Sequence, residues 1–169
     1  MTRRFIAWML AGALLGLAPA QAQDWVQSSI KYTEGTEALG QGNWQLAADL
    51  LAEAVRLDPT LSRNHGNYAA ALFELNRLQE GWPHARKAVL LDPTNEQAQN
   101  NSRRYIKKLL GDANLNTGAT LQQVVAVLGE PDKVAKQGKC VWYQYGVSAL
   151  CFEKGAFSSI GNVTWRPNR

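Results

Sequence analysis

Two segments of equal length decide the fold of this chain: GTEALGQGNWQLAADLLAEAVRLDPT (residues 35–60) and AAALFELNRLQEGWPHARKAVLLDPT (residues 69–94). The second segment repeats the pattern of the first at a spacing of 34 residues, and both end in Leu-Asp-Pro-Thr. A fixed period of this size indicates stacked supersecondary units, because one unit alone cannot bury its apolar face.

The residues that recur favour pairs of closely packed helices. Small side chains allow two helices to cross closely, and a proline ends each second helix because it lacks an N–H donor. The recurring small residues are Gly35 with Ala69, Ala47 with Gly81, and Ala54 with Ala88, and the prolines are Pro59 and Pro93. This pattern resembles the tetratricopeptide repeat over about residues 28–95. The resemblance implies an all-α stack of helix–turn–helix units that binds proteins and has no catalytic activity.

Local patterns set the expected helix bounds. In the first repeat a helix is predicted over residues 30–39, and residues 24–32 are either an irregular lead-in or its first turns. The second helix is predicted over residues 45–57, with Leu46, Leu50 and Leu51 on its apolar side.

The second repeat is predicted over residues 61–91. Thr94 and Gln97 have the spacing of a capping box, which predicts a capping helix that continues to about Leu110. The predicted repeat domain, with two repeats and this capping helix, therefore spans residues 23–110.

The resemblance also implies a partner-binding groove, lined by the first helix of each repeat and by the capping helix. Aromatic anchors beside polar groups suit an extended peptide or a partner helix. The implied groove residues are Tyr32, Thr36, Leu39, Arg63, Gly66, Ala70, Phe73, Asn100, Arg104 and Lys107. The alternative is that Tyr32 and Phe73 fill a stack that is too short for an open groove.

The start of the chain has the pattern of an exported protein. Two arginines precede an apolar run (residues 5–18), and small residues follow at Ala20 and Ala22. The run is shorter than the ~20 residues needed to span a bilayer, so it favours a signal peptide over residues 1–22, cut after Ala22. An uncleaved amphipathic anchor is the alternative. We expect a periplasmic or secreted protein.

The charge is modest and unevenly distributed. Residues 24–95 carry 6 basic and 9 acidic side chains, whereas residues 96–169 carry 10 basic and 5 acidic ones. A nucleic-acid interface needs a denser basic stripe with stacking aromatics, so we expect no nucleic-acid partner. Four cations cluster on the capping helix: Arg103, Arg104, Lys107 and Lys108. They form either a solvated helix face or a peripheral contact for an acidic partner or for phosphate head groups.

After a linker at residues 111–117, residues 118–169 are predicted to form a different kind of domain. A capping box at Thr120 opens a short helix that ends at Gly129. Three alternating runs follow and predict a three-stranded antiparallel sheet. The runs cover residues 140–145, 148–153 and 156–165. The predicted fold class is therefore α+β: an all-α helical stack followed by a small α+β domain.

A set of glycines, apolar residues and aromatics marks this second segment. Its members are Gly118, Thr120, Val124, Leu128, Gly129, Pro131, Trp142, Tyr143, Phe152 and Gly155. Over about residues 112–165 the pattern resembles the SmpA/BamE family. The resemblance implies the fold of β-lactamase inhibitor protein and a role in outer-membrane protein assembly. Members of the BamE type carry a lipidation cysteine, which this chain lacks, so membrane anchoring is not implied.

Cys140 and Cys151 are the only cysteines of the chain. With a turn at Tyr145 and Gly146 they lie directly opposite each other on adjacent strands, within the distance that a disulfide requires. An even cysteine count in an exported protein favours a disulfide, and two reduced, buried thiols are the alternative.

The titratable residues do not converge on a recognisable reaction. His65 and His84 lie on separate helices, without a cysteine or carboxylate cluster at ligand spacing, so no metal is expected. The sequence shows neither a catalytic triad in a recognisable context nor a glycine-rich phosphate loop. We expect no enzyme and no cofactor, but an adaptor in cell-envelope, outer-membrane or secretion-complex assembly. A soluble inhibitor or regulator of an envelope enzyme, acting through the C-terminal β face, is the alternative.

Two repeats and a capping helix make a short stack, and fewer than three repeats seldom stand alone. We therefore expect the C-terminal layer, or another protein, to cover one apolar end of the stack.

Overall fold

The computed structural model describes residues 19–161, with side chains from residue 23 onward. In chain order it contains six helices and then four strands, which confirms the predicted α+β class. The helices are α1 (Pro19–Gly40), α2 (Trp44–Leu57), α3 (Ser62–Glu74), α4 (Leu78–Leu91), α5 (Glu96–Asp112) and α6 (Leu121–Leu128). The strands are β1 (Lys133–Gln137), β2 (Cys140–Tyr145), β3 (Ser148–Glu153) and β4 (Ala156–Gly161). No described helix is long and apolar enough to cross a membrane.

Helices α1 to α5 form the predicted stack, and its repeat is visible in the hydrogen bonds. The Ser28 hydroxyl donates to the carbonyl oxygen of Ala54 at 3.0 Å. The Ser62 hydroxyl donates to the carbonyl oxygen of Ala88 at 2.9 Å, which is the same contact one repeat later. Both alanines are fully buried. The first helix of each pair is therefore tied to the end of the second helix in the same way.

The recurring small residues lie where helices approach most closely. A Cβ placed on Gly35 would lie 2.6 Å from the side chain of Leu51, and one on Gly81 would lie 1.8 Å from the hydroxyl oxygen of Tyr105. The Tyr105 hydroxyl passes Gly81 to donate to the carbonyl oxygen of Ala69 at 2.7 Å. The absence of a side chain at position 81 thus allows α4 and α5 to pack.

Two details of the predicted helices are wrong. Leu46 is 52% exposed, because α2 buries the stripe of Ala47, Ala48, Leu51 and Ala54, whose small members allow close packing. The N-cap of α5 is Asn95, which accepts from the backbone N–H of Ala98, so no capping box begins at Thr94. The amide and hydroxyl of Thr94 are instead both bound by the Asp92 carboxylate, at 2.9 and 2.7 Å.

The first helix is longer than residues 30–39, since α1 begins at Pro19. Residues 24–32 are therefore the first turns of this helix and not an irregular lead-in. Most of the predicted signal peptide lies outside the described residues. Cleavage after Ala22 would remove the first turn of α1 and leave the rest of the helix intact.

The C-terminal segment has four strands, in the antiparallel order β1-β2-β3-β4, so the prediction of three strands was wrong. The missed strand, β1, carries two lysines and one exposed valine in five residues and lacks an apolar alternation. It lies at an edge, where lysines are common because they discourage pairing with another sheet. The third predicted run is β4, which ends at Gly161; residues 162–165 lie outside the described range.

The capping box at Thr120 is confirmed: its hydroxyl accepts from the Gln123 amide, and the Gln123 side chain accepts from the Thr120 amide at 2.8 Å. Helix α6, which follows, packs one face on the sheet. Val124 and Leu128 of α6 are buried in the same cluster as Leu150 and Phe152 of β3.

The C-terminal layer covers the end of the stack, as the shortness of the stack led us to expect. One hydrophobic cluster contains Ile106 and Leu109 of α5 together with Val124 of α6 and Tyr145 of β2. Polar contacts hold the same junction. The Trp82 indole N–H donates to the carbonyl oxygen of Leu128 at 2.8 Å.

Arg86 of α4 strengthens this junction, because its guanidinium reaches three acceptors in the C-terminal layer. It donates to the carbonyl oxygens of Leu128 and Glu130, at 3.3 and 2.9 Å, and to the carboxylate of Asp132. The Asp132 carboxylate also accepts from the amide of Gly146 in the hairpin turn at 2.6 Å. One arginine therefore connects the stack to the end of α6 and to the β-hairpin.

The disulfide between Cys140 and Cys151 is present, but the predicted strand register was wrong. The turn is formed by Gly146 and Val147, since Tyr145 pairs with Ser148. Gly146 has φ of +60°, the left-handed conformation that a two-residue turn requires at its first position.

In this register Cys151 lies opposite Trp142, so the two cysteines are diagonal on one face of the sheet, with Cα atoms 5.2 Å apart. A disulfide that closes so short a loop stabilises the fold by roughly 3 kcal/mol in the chain-entropy treatment.

We predict that Gly81→Ala destabilises the protein by about 1–3 kcal/mol, because the new methyl group displaces the Tyr105 hydroxyl from the Ala69 carbonyl. Urea denaturation followed by circular dichroism measures the change in the free energy of unfolding. The matched control is Gly111→Ala in α5, where nothing lies within 4 Å of the new methyl group. At that position alanine has a higher helix propensity than glycine, so we expect the free energy of unfolding to increase by up to about 1 kcal/mol. Equal effects at the two positions would contradict the assigned packing.

Candidate protein-binding surface

Helix α3 lies between α1 and α5, and the three helices together form one continuous face, which we call the inner surface. It combines aromatic, amide and basic side chains. Its residues are Tyr32, Thr36, Arg63, Asn67, Ala70, Phe73, Gln97, Asn100 and Arg104.

A ladder of hydrogen bonds joins the three helices across the inner surface. The side-chain Nδ2 of Asn67 donates to the Thr36 hydroxyl at 2.9 Å. The side-chain Nε2 of Gln97 donates to the Oδ1 of Asn67 at 2.8 Å. The Thr36 hydroxyl in turn donates to the carbonyl oxygen of Tyr32 at 2.7 Å. Asn67 therefore uses both ends of its amide, and its orientation is fixed by neighbours on both sides.

Two arginines pack on aromatic rings, and these contacts flank Asn67 along α3, where Arg63 precedes it and Phe73 follows it. The guanidinium carbon of Arg63 lies 4.9 Å from the centre of the Tyr32 ring, and that of Arg104 lies 4.2 Å from the centre of the Phe73 ring. Arg104 also donates to the Glu74 carboxylate at 2.8 Å. Such stacking contributes about 0.5–1 kcal/mol at an exposed site and restricts the guanidinium. Both cations are thereby held in place on the inner surface.

The structure brings most of the predicted groove residues together but gives them different environments. Asn100, Arg104 and Lys107 are exposed on α5, whereas Gly66 is buried. Leu39 packs against the buried cluster that contains Ala38, Leu51 and Leu72. The other predicted residues that lie on the inner surface are Tyr32, Thr36, Arg63, Ala70 and Phe73.

Sequence reasoning missed Asn67 and Gln97, which form the ladder. A signal was available: Asn67 recurs as Asn101 at the repeat spacing. Asn101 is buried and donates to the carbonyl oxygen of Gly66 at 3.0 Å, so the recurring amide joins α5 to α3.

The basic residues of α5 are largely engaged within the chain. Arg103 donates to the Asn100 and Gln99 side chains, at 3.0 and 3.2 Å, and Lys108 forms an ion pair of 2.7 Å with Asp112. Ion pairs this exposed contribute little to stability, and salt screens them. These side chains remain accessible to an acidic partner.

The two histidines, predicted not to bind metal, contact each other between α3 and α4. Their Nδ1 atoms are 2.9 Å apart, and the Nε2 of His65 lies 3.0 Å from the carbonyl oxygen of Pro59. That carbonyl can only accept, so the neutral His65 carries its proton on Nε2, and His84 donates from Nδ1 to the other ring. Both ring nitrogens of His65 are therefore used within the fold.

Burial lowers the pKa of both histidines below the usual 6.5. For His84 the neighbouring His65 lowers the pKa further, while Glu80 opposes the shift; for His65 the Pro59 carbonyl opposes the shift and Lys87 adds to it. The folded protein thus keeps both rings neutral at a pH where the unfolded chain takes up protons.

Within residues 19–161, one group of three potential metal ligands has its ligand atoms within 4.8 Å of one another: Cys140, Cys151 and Glu153. The two sulfurs are joined to each other, so neither is available as a thiolate.

We predict that the free energy of unfolding is fully maintained above about pH 6.5 and decreases as the pH falls below that value. The sign follows from the lowered pKa values, because the unfolded state binds protons that the folded state excludes until its own pKa is reached. Urea denaturation at about pH 7.5 and pH 5.5 measures the loss. The control is the double variant His65→Gln/His84→Gln, which keeps the carboxylates. If it loses as much stability on acidification as the parent, the histidine pair is not the cause.

Comparisons with known proteins agree with this architecture. No family model matches the chain. Over 72 residues it is 39% identical to a protein of Dictyostelium discoideum described as "DnaJ homolog subfamily C member 7 homolog". That match covers 40% of this chain, and the chain spans only 13% of the relative. The solved structure of the Arabidopsis OM64 TPR domain is similar, with a TM-score of 0.50 and 22% identity over 61% of this chain and 78% of that one. The helical part of this chain is therefore a tetratricopeptide-like stack.

Proposed function

We propose that this protein is a non-enzymatic adaptor that binds a segment of another cell-envelope protein on its inner surface. The observation that carries the proposal is the ladder from Thr36 through Asn67 to Gln97, flanked along α3 by the two arginine–aromatic contacts. An extended peptide or a partner helix fits such a surface, because aromatic anchors provide contact area and fixed polar groups provide specificity.

The hydrogen bonds of the inner surface reduce the entropy lost on binding. Asn67 is held from both sides, and Arg104 is held by Phe73 and Glu74. Side chains that are already restricted lose less freedom when a partner arrives, and so more of the contact energy appears as affinity. Arg63 and Arg104 favour acidic side chains at the two ends of the bound segment.

We propose a periplasmic or secreted location, with a signal peptide over residues 1–22. Two independent features support it: the basic start followed by a short apolar run, and the disulfide between Cys140 and Cys151, of which Cys151 is fully buried. Disulfides persist in oxidising compartments and are rare in reducing ones.

We propose that the C-terminal domain is of the SmpA/BamE type and that the adaptor acts in outer-membrane or secretion-complex assembly. A helix ended by Gly129, followed by an antiparallel sheet on which it packs, is consistent with that resemblance. The junction at Arg86 and Trp82 places this domain at the end of the stack, where it leaves the inner surface open to a partner.

A photo-crosslinking amino acid at Asn100, which is exposed on the inner surface, tests the adaptor function in native cells. We predict one envelope protein as the principal adduct, and about a tenfold lower yield when Arg63→Ala and Arg104→Ala remove both stacked cations. The control site is Lys136, exposed on the edge strand β1. Equal yields of the same adduct from Asn100 and Lys136 would show that the inner surface is not the binding site. A yield that does not change when both arginines are replaced would show the same.

The intact mass of the protein recovered from native cells tests the proposed compartment. We predict a chain that begins at Gln23 and that thiol reagents modify only after reduction, because the sulfurs are already joined. An Ala22→Arg variant should retain residues 1–22, since the cut requires a small residue at that position. A wild-type protein that keeps residues 1–22 and has freely reactive thiols would contradict export.

A further inference from the structure

The outer side of α1 exposes apolar residues at the end of the stack that the C-terminal layer does not cover. Trp25 is 57% exposed, Val26 46% and Ile30 42%. Together with the polar residues beside them they line a shallow groove of about 380 Å³. We call this the outer face of α1; its residues are Trp25, Val26, Ser29, Ile30, Thr33, Glu34 and Glu37.

The repeat identifies what kind of element belongs on this face. One repeat later, Ile30, Glu34 and Glu37 correspond to Asn64, Tyr68 and Ala71 on α3. Those residues face α2: the Asn64 amide donates to the carbonyl oxygen of Ala54 at 3.1 Å, and Tyr68 and Ala71 belong to the cluster that contains Leu51.

After a second repeat the same positions are Ala98, Ser102 and Tyr105 on α5, and all three are buried. Ala98 packs with Ala88 of α4, and Tyr105 passes Gly81 of the same helix. In each case the preceding helix, which is 14 residues long, packs on this face: α2 packs on α3, and α4 packs on α5. The repeat therefore indicates that a helix can pack on the equivalent face of α1.

The charge of the outer face indicates the chemistry of that helix. Glu34 and Glu37 are exposed at one end of the apolar patch, and Asp24 is exposed at the other. Lys31 pairs with Glu34 at 2.7 Å, whereas Glu37 takes part in none of the ion pairs among residues 19–161. A helix with basic residues beside an aliphatic stripe would complement this arrangement.

We propose that the outer face of α1 binds an amphipathic helix of another polypeptide, with aliphatic side chains against Trp25, Val26 and Ile30 and basic side chains opposite Glu34 and Glu37. The helix is about 14 residues long, as are those that fill the equivalent positions. This site is separate from the inner surface and does not depend on the adaptor function proposed for it.

Two labelled synthetic peptides test the proposal by fluorescence anisotropy with the purified protein. Both carry leucines at helical spacing; one has lysines beside the leucine stripe, and the other has glutamates at the same positions. We predict that the lysine peptide binds at least about tenfold more tightly and that salt narrows the difference. Ile30→Ser should weaken binding about tenfold, whereas Leu46→Ser, at a similarly exposed leucine on α2, should leave it unchanged.

Glu37→Lys gives the decisive comparison, because it changes the charge of an exposed residue without removing a buried contact. We predict that this variant loses the preference for the lysine peptide. Equal affinity of the parent protein for both peptides, no binding of either, or an unchanged preference in Glu37→Lys would overturn the proposal. So would light scattering that shows a dimer which Ile30→Ser converts to a monomer, because a second copy would then be the occupant.

Discussion

The hydroxyl of Tyr105 reaches the carbonyl oxygen of Ala69 through space that Gly81 leaves open. A side chain at position 81 would displace the Tyr105 hydroxyl from that carbonyl and weaken the packing of α5 on α4. The same constraint recurs where Gly35 meets Leu51. Close crossings at small residues allow helices of about 14 residues, which are marginal alone, to stabilise one another.

From this contact the packing extends in two directions. The Tyr105 ring meets Phe73 edge-on, with ring centres 5.1 Å apart, and Phe73 supports Arg104 on the inner surface. On its other side, the centre of the Tyr105 ring lies 6.3 Å from that of Trp82. The Trp82 indole N–H donates to the carbonyl oxygen of Leu128 in the C-terminal layer. One buried tyrosine thus links the candidate binding surface to the domain that covers the end of the stack.

The stack could be predicted from sequence because its determinants are local and recur: small residues, prolines and turns at a fixed spacing. The strand β1 and the turn at Gly146 could not be placed, since their position depends on pairing with β2 and on the Asp132 carboxylate. The recurrence of Asn67 as Asn101 could have marked the amide, but not the partners that make it part of a ladder. Its partners come from α1 and α5, and only the folded stack brings the three side chains together.

The two ends of the stack differ in a way that bears on function. At one end of the stack, Ile106 and Leu109 of α5 are buried under α6 and the sheet. At the other end, Ile30, Glu34 and Glu37 of α1 are exposed. Thr36 of the inner surface and Glu37 of the outer face are consecutive residues, so both surfaces are built on one helix. A helix bound to the outer face would bury α1 as α2 buries α3. It would thereby hold Tyr32 and Thr36 in the positions that the inner surface requires.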